Sequence, residues 1–376
     1  NICSAEIPSI DITNRPCYYR GAGKTKGSYV RVGDADLPMT DYEIYSFESY
    51  KAHVHDDERP IDRADLSLLD EVGINNYILQ MKLNRPYFSK LSEEKIYELL
   101  SITRNGVPTL ASVLNFGIYP QGLLPQLAIT ATVIPGTEIG ETTNDGVRFL
   151  DNKRIEGTLS EMLDEAIAFC NRNMRTQTII DQNTGKRNDK TEYPINAIRE
   201  AILNALIHRD YSVHTEGTTI QISFFTNRLE IHSPGRLYGR MTVDDLGKAR
   251  PDLRNPALAT MSEFLLKTKN RYSGIPTIRR EMKEYGLPEP LFENKRNEFV
   301  VTLFNKTENS INNSEDNTDL ITFCKTPRTR QEISDYLGLK TTQYVSKNYI
   351  QPLVNQGKLK LLDPDKPKSK NQKYYS

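Results

Sequence analysis

Cysteine is scarce in this 376-residue chain: Cys3, Cys17, Cys170 and Cys324 are its only four. They are too scattered for a metal knuckle or a disulfide framework, and such usage points to a reducing cytoplasm. No apolar run approaches the ~20 residues needed to span a bilayer, and no signal peptide is visible, so no membrane partner is expected. Net charge is missing as well, since 49 Lys and Arg balance 49 Asp and Glu. That balance gives no hint of whole-chain attraction to nucleic acid or lipid, and charge has to be read by segment. An initiating Met is also lacking. The chain opens on Asn1 and runs straight into strand-like residues, so it reads as a piece of a longer protein whose N-terminal segment is missing.

What is present, 37% hydrophobic and 26% charged residues, reads as soluble and globular. The length suffices for two or three domains. Residues 1–50 hold short extended runs, CYYR at 17–20 and SYVRVGDAD at 28–36, with Tyr29 to Val32 alternating as a strand. Between them RGAGKTKG is rich in glycine and lysine but lacks the G-x-x-x-x-G-K-[ST] spacing, and is read as a hairpin turn. From Asp62 the pattern is mostly helical, with Ser92 starting one helix. Thr109 to Phe116 and Leu127 to Val133 alternate or run apolar around a turn-rich GIYPQGLLPQ, giving a mixed α+β layer. His53 and His55 are spaced to touch a metal, but their setting, HVHDDERP, is that of a solvated loop.

Gly157 to Arg172 is amphipathic, and Ile180 to Lys190 is polar and turn-rich. The chemistry centres on Thr191 to Ser212, TEYPINAIREAILNALIHRDYS. Pro194 opens a helix whose apolar residues Ile195, Ile198, Ile202, Leu203, Ala205, Leu206 and Ile207 cover most of its surface. Asn196, Glu200, Asn204 and His208 form a polar stripe at four-residue steps, each turning roughly 40° about the helix axis. A buried carboxylate and amide side by side need a partner. Two readings stand: a hydrogen-bonded pair between helices, or a pocket for a metal ion or ligand. Next come two strands, Thr219 to Phe225 and Arg228 to Ser233, the second running into Ser233-Pro234-Gly235. Arg254-Asn255-Pro256 precedes a helix from Ala257 to Leu266. The loop KNRYSGIP leads to the helix TIRREMKEYG, and Phe299 to Phe304 closes the domain as a buried strand. His208-Arg209-Asp210 is spelled like a kinase catalytic loop but has no kinase context, and reads as structural.

Residues 306–318 are a polar linker. Beyond it lie a short apolar helix from Asp319 to Cys324, a helix capped by Thr329 with Glu332 in a capping box, and a third from Thr341 to Asn355 with a kink at Pro352. Lys358 to Leu362 and Gln372 to Tyr375 can pair as a hairpin. Three helices and a basic hairpin follow the winged helix-turn-helix plan. From Asp319 onward eleven Lys and Arg face five Asp and Glu, a net of +6 in an otherwise neutral protein. This is the footprint of a binder of double-stranded DNA. Thr341, Thr342, Gln343, Ser346, Lys347 and Asn348, with Lys366, Lys368 and Lys370 of the hairpin, are the candidate contacts. A winged helix used for protein contact is the alternative.

In this order the motifs resemble the bacterial Schlafen/AlbA-type transcriptional regulators whose C-terminal half is labelled RecG-like, a half similar to the GHKL ATPases. REAILNALIHRDYS is the most specific match. RPCYYRG and YVRVG look like the tail of an AlbA-like domain, PTLASVLNFGIYPQ like the middle segment, and RQEISDYLGL with KPKSKNQKYY like the C-terminal module. The resemblance implies that Glu200 is the general base on the attacking water and that Asn204 binds Mg²⁺ and nucleotide. It also implies that Gly235 and Gly274 border ATP. The adenine-reading Asp of the family's D-x-G-x-G box is absent, because that position spells H-S-P-G. The second glycine loop is reduced to Tyr272-Ser273-Gly274-Ile275.

The expected fold is α+β and multidomain: an AlbA-like remnant at 1–50, a middle segment at 51–150, a GHKL-like α/β sandwich at 151–305, the linker, and a winged helix at 319–376. The expected function is a cytoplasmic DNA-binding regulator, plausibly dimeric, with a possible nucleotide effector. The alternatives are a GHKL-type ATPase, and a nucleic-acid-processing or defence protein whose active part is the missing AlbA-like segment.

Overall fold

Strands far apart in sequence build the sheet that carries the site. The computed structural model describes residues 10–32, 35–180, 187–250, 252–266, 273–305, 320–337, 342–355, 357–364, 369 and 372–376. The chain divides into two compact units, Asn1–Asn305 and Lys306–Ser376. In the first, six strands form one mixed sheet: β1 (Ile129–Val133), β2 (Asp151–Ile155), β3 (Ile220–Phe224), β4 (Arg228–Pro234), β5 (Leu291–Asn294) and β6 (Glu298–Phe304). Their spatial order is β5-β6-β4-β3-β1-β2. All neighbours run antiparallel except β1 and β3, which are parallel with Ile129 opposite Ile220 and Val133 opposite Phe224.

Alternation along these strands sets the layers. Ile220, Ile222 and Phe224 of β3 are buried while Gln221 is exposed, and Leu229 and Ile231 of β4 are buried. Two helices pack on the sheet. The first, α2 (Leu159–Asn173), starts at a Thr158–Glu161 capping box, and the second, α3 (Ile195–His208), follows Pro194. Tyr193 and Phe169 meet Phe224, with ring centroids 6.4 Å apart in each case. Three more helices matter for the site: α1 (Asp41–Ala52), α4 (Pro256–Leu265) and α5 (Gly274–Glu284). One apolar core runs from Ile61 to Leu303, so the middle segment and the sheet share it.

Thr109–Phe116, with its apolar run, is a helix, Leu110–Phe116, in which Thr109 Oγ1 accepts the Ser112 N–H. Every residue of it but Asn115 is buried. A helix buried on all sides has no polar stripe, so its period is invisible in sequence. Ile180 to Lys190 reads as turn-rich; its ends belong to strands, Thr176–Ile180 pairing antiparallel with Arg187–Thr191, and residues 181–186 between them lie outside the described residues. Such a ribbon is held by backbone bonds and needs no apolar face. The 20–27 loop is closed by a Tyr18–Ser28 bridge, as a hairpin turn would be, but contains two short helical turns. His53 ends α1 with φ 52°, and His55 Nδ1 lies 3.1 Å from the Arg254 carbonyl, so neither is placed as a metal ligand. Among the described residues no group of three His, Cys, Asp or Glu could hold a metal ion, and no helix is long and apolar enough to cross a membrane.

The second unit has its own core of Leu320, Cys324, Ile333, Val345, Ile350, Leu353, Leu359 and Tyr374. Residues 320–323 are helical, and Thr329 caps Arg330–Tyr336 with Glu332 closing the box. Lys360–Leu361 pairs with Lys373–Tyr375, and Arg328–Thr329 adds a third strand on the other side. The irregularity expected at Pro352 lies one turn earlier, as a π-type turn at Ser346–Ile350. A proline has no N–H for the carbonyl four residues back, and a widened turn just before it absorbs that loss.

The sheet face away from α2 and α3 carries a charged cluster. His232 Nε2 lies 2.9 Å from Glu230 Oε2, and Nδ1 lies 3.0 Å from Glu298 Oε2. Burial alone would lower the imidazole, but the two carboxylates outweigh it and raise His232 to about 9. A raised folded value stabilises fully below the unfolded histidine value of about 6.5 and is lost as pH climbs through 9. The stake is on the order of 2 kcal/mol. The melting-temperature gap between wild type and His232→Gln is therefore expected to be widest below pH 6.5 and to close by pH 9. A gap constant over that range would remove His232 as the titrating group.

Candidate functional site

The polar stripe of α3 faces α5, which packs against it in the opposite direction. Asn196 Nδ2 donates to Glu281 Oε2 at 3.3 Å near the far end of α5. Glu200 and Asn204 face its first residue, Gly274. A Cβ built on Gly274 would stand 2.8 Å from Asn204 Nδ2, 3.1 Å from Asn204 Oδ1 and 3.2 Å from Glu200 Oε2. A side chain there would push against the movable ends of Asn204 and Glu200. Glu200 is half-buried, and burial raises its carboxyl above the usual value while Arg199 opposes the shift. Tyr272 lies outside the described residues.

Beside this contact is a cavity of about 150 Å³, a volume that accepts a single aromatic ring in a protein interior. Asn204 and His208 of α3, Ser233 of β4, Gly235, and Gly274 with Ile275 of α5 line it. The loop from Arg236 to Arg254 closes it with Leu237, Tyr238, Met241 and Leu246, and Ile231, Phe299 and Val301 form its floor. Three of the expected residues, Asn204, Gly235 and Gly274, thus share one cavity. Glu200 is not among the lining residues, although its carboxylate, like the Asn204 amide, lies against Gly274. An amide oxygen such as that of Asn204 can serve as one ligand of Mg²⁺, the others being phosphate and water.

Beneath the cavity three motifs interlock. Gly235 has φ 103°, and a Cβ there would fall 2.4 Å from Asp210 Cβ and 2.7 Å from Arg254 Nη1. Asp210 Oδ2 lies 3.6 Å from Arg254 Nη1. Burial alone would raise the Asp210 carboxyl, but Arg254 with the donors from Ser212 and Thr215 holds it below the usual carboxylate value. Asn255 Nδ2 donates to the carbonyls of Ile207 and Arg209, each at 2.8 Å. Arg209 donates to the carbonyls of Thr215 and Thr218. The His208-Arg209-Asp210 triplet is therefore structural apart from His208, which stays open to solvent at the cavity.

Sequence reasoning missed Asp57. Fully buried, its Oδ2 accepts the Leu258 N–H at 2.9 Å and so caps α4 from 201 residues away, and burial raises its carboxyl to about 7. No local signal marks such a cap. Of the candidate DNA contacts, Thr342 and Ser346 are half-buried. Thr341, Lys366, Lys368 and Lys370, and the side chains of Gln343, Lys347 and Asn348, lie outside the described residues.

Residues 217–303 match the family described as "Putative ATP-dependent DNA helicase recG C-terminal", an ATPase-like model. That span takes in β3 to β6, Gly235, α4 and α5 but begins after α3. Residues 318–375 match "Filamentation induced by cAMP protein Fic-like, C-terminal domain". No curated protein matches the chain. Among solved structures, the DIP2311 protein from Corynebacterium diphtheriae is similar in fold, with a TM-score of 0.51 and 18% identity over 86% of this chain. The match covers 65% of that protein's length.

The two glycines separate stability from site geometry. Gly235→Ala forces a side chain into positive φ and against backbone and buried charge, and should cost about 3 kcal/mol or more. At Gly274 the obstacles are movable side-chain ends, so Gly274→Ala should keep a near wild-type melting temperature while displacing Asn204 and Glu200. Denaturation of both variants checks this; equal losses would refute the distinction.

Proposed function

We propose that the first unit binds an adenine-type nucleotide in the cavity between α3, Gly235 and α5, and that occupancy biases duplex-DNA binding by the basic second unit. The observation that carries this reading is the meeting of Asn204, Gly235 and Gly274 in one cavity, in a region whose sequence matches an ATPase-like family. Binding rather than turnover is the expected behaviour, because Glu200, the candidate base, is not among the residues that line the cavity. A general base has to reach the proton it takes. The +6 charge from Asp319 onward, the capped helix Arg330–Tyr336 and the antiparallel strands that follow support a winged-helix reading. A dimer reading paired half-sites in the cytoplasm completes the proposal.

Nucleotide saturating at about 100 times its dissociation constant adds about 2.7 kcal/mol to the folded state. Mg-ADP and a non-hydrolysable ATP analogue should therefore raise the melting temperature by a few degrees, with no phosphate released from ATP. Turnover abolished by Glu200→Gln would instead establish the ATPase reading. For DNA, removing residues 319–376 should abolish binding to a labelled duplex. Replacing Lys366, Lys368 and Lys370 by Ala should flatten the dependence of log affinity on log salt by about one for each phosphate no longer neutralised. Unchanged affinity after the truncation would sink the DNA role.

A further inference from the structure

Strand β4 runs into His232-Ser233-Pro234-Gly235 and brings no carboxylate to the cavity. One carboxylate nevertheless lines the cavity, that of Asp252, contributed by the loop that closes it. Asp252 is exposed to solvent at the rim and is held there by hydrogen bonds. Its Oδ2 accepts the Tyr50 hydroxyl at 3.0 Å and the Arg240 N–H at 3.2 Å. Among the described residues nothing donates to Oδ1. The Tyr50 ring stands edge-on to Tyr238, another lining residue, with centroids 5.3 Å apart.

Helix α1, which brings Tyr50, is tied to the same loop elsewhere. Tyr42 Oη accepts the Arg236 N–H at 2.9 Å. The Glu43 carboxylate, 1% exposed, pairs with Arg296 at 2.9 Å and with Arg236 at 3.8 Å. These contacts cross about 200 residues of sequence and give the loop a fixed backing.

We propose that Asp252, oriented by Tyr50, is the specificity-determining carboxylate of the cavity. Its Oδ1 accepts a hydrogen bond from the exocyclic amine of an amino-substituted heterocycle, so that the site selects amino rings over oxo rings. A carboxylate only accepts, and a ring carbonyl at the same place would set two acceptors against each other. Tyr50 is the positioning residue, since its hydroxyl removes the freedom the carboxylate would otherwise lose on binding. The proposal rests on the nucleotide reading above.

Calorimetry on the full chain with ADP and with its 6-oxo counterpart, inosine diphosphate, tests it. Wild type should prefer ADP by about tenfold, the worth of one charge-assisted hydrogen bond. Asp252→Asn, whose amide can present donor or acceptor, should bring the ratio to about one. Tyr50→Phe should lower the ratio about threefold with an unchanged melting temperature, an effect on selectivity that a merely structural tyrosine would not produce. A wild-type ratio kept by Asp252→Asn, or equal binding of both nucleotides by wild type, overturns the proposal and leaves the nucleotide reading standing. An unmoved ratio in Tyr50→Phe overturns the positioning role. If wild type binds neither nucleotide, the nucleotide reading fails and takes this proposal with it.

Discussion

Everything around the cavity depends on one buried junction, where Arg254 and Asn255 meet the end of α3 under Gly235. A buried ion pair is a poor source of stability by itself, because desolvating two charges offsets most of their attraction. Here part of the hydrogen-bonding capacity is used, while Arg254 Nη1, Asn255 Oδ1 and Ser212 Oγ are buried without a hydrogen-bond partner among the described residues. Asp210 takes donors from Ser212 and Thr215, and Arg254 gives a bond to the Arg236 carbonyl at 2.7 Å. The bonds that are made tie the loops above to one arrangement. The Gly235 amide reaches the Asn297 carbonyl and the Asp210 amide reaches the Pro234 carbonyl, so helix end, strand end and loop share the same anchor.

The cavity inherits its character from that anchor. Its walls come from apolar residues of β4, β6 and the loop, with few polar groups converging on it, as small-molecule sites commonly show. What differs from a hydrolytic arrangement is the aim of one side chain. Glu200 and Asn204 occupy adjacent turns of α3 and both lie against Gly274 of α5, yet only Asn204 lines the cavity.

Much of this was legible in the residues. The helix around Glu200, the hairpin of β3 and β4, and the capping box at Thr329 follow from short-range periodicity and capping chemistry. The convergence of Asn204, Gly235 and Gly274 came from motif order, not from spacing alone. The helix Leu110–Phe116 escaped because burial on every side erases its period. The ribbon of Thr176–Ile180 and Arg187–Thr191 escaped because it rests on backbone pairing. The Asp57 cap, the Tyr50–Asp252 bond and the Glu43–Arg296 pair join residues about 200 to 250 positions apart, and no local pattern encodes a partner at that distance.

The parallel pairing of β1 with β3 also bears on how such a protein can be assembled from parts. A strand from upstream of residue 150 sits inside the sheet, flanked by β2 and β3, rather than at its border. Removing the preceding segment would strip a neighbour from β3, leave its backbone groups bare along that edge, and uncover apolar side chains that β1 and its surroundings now cover. The matched span 217–303 therefore does not carry its whole sheet with it, since β1 and β2 come from the segment before it.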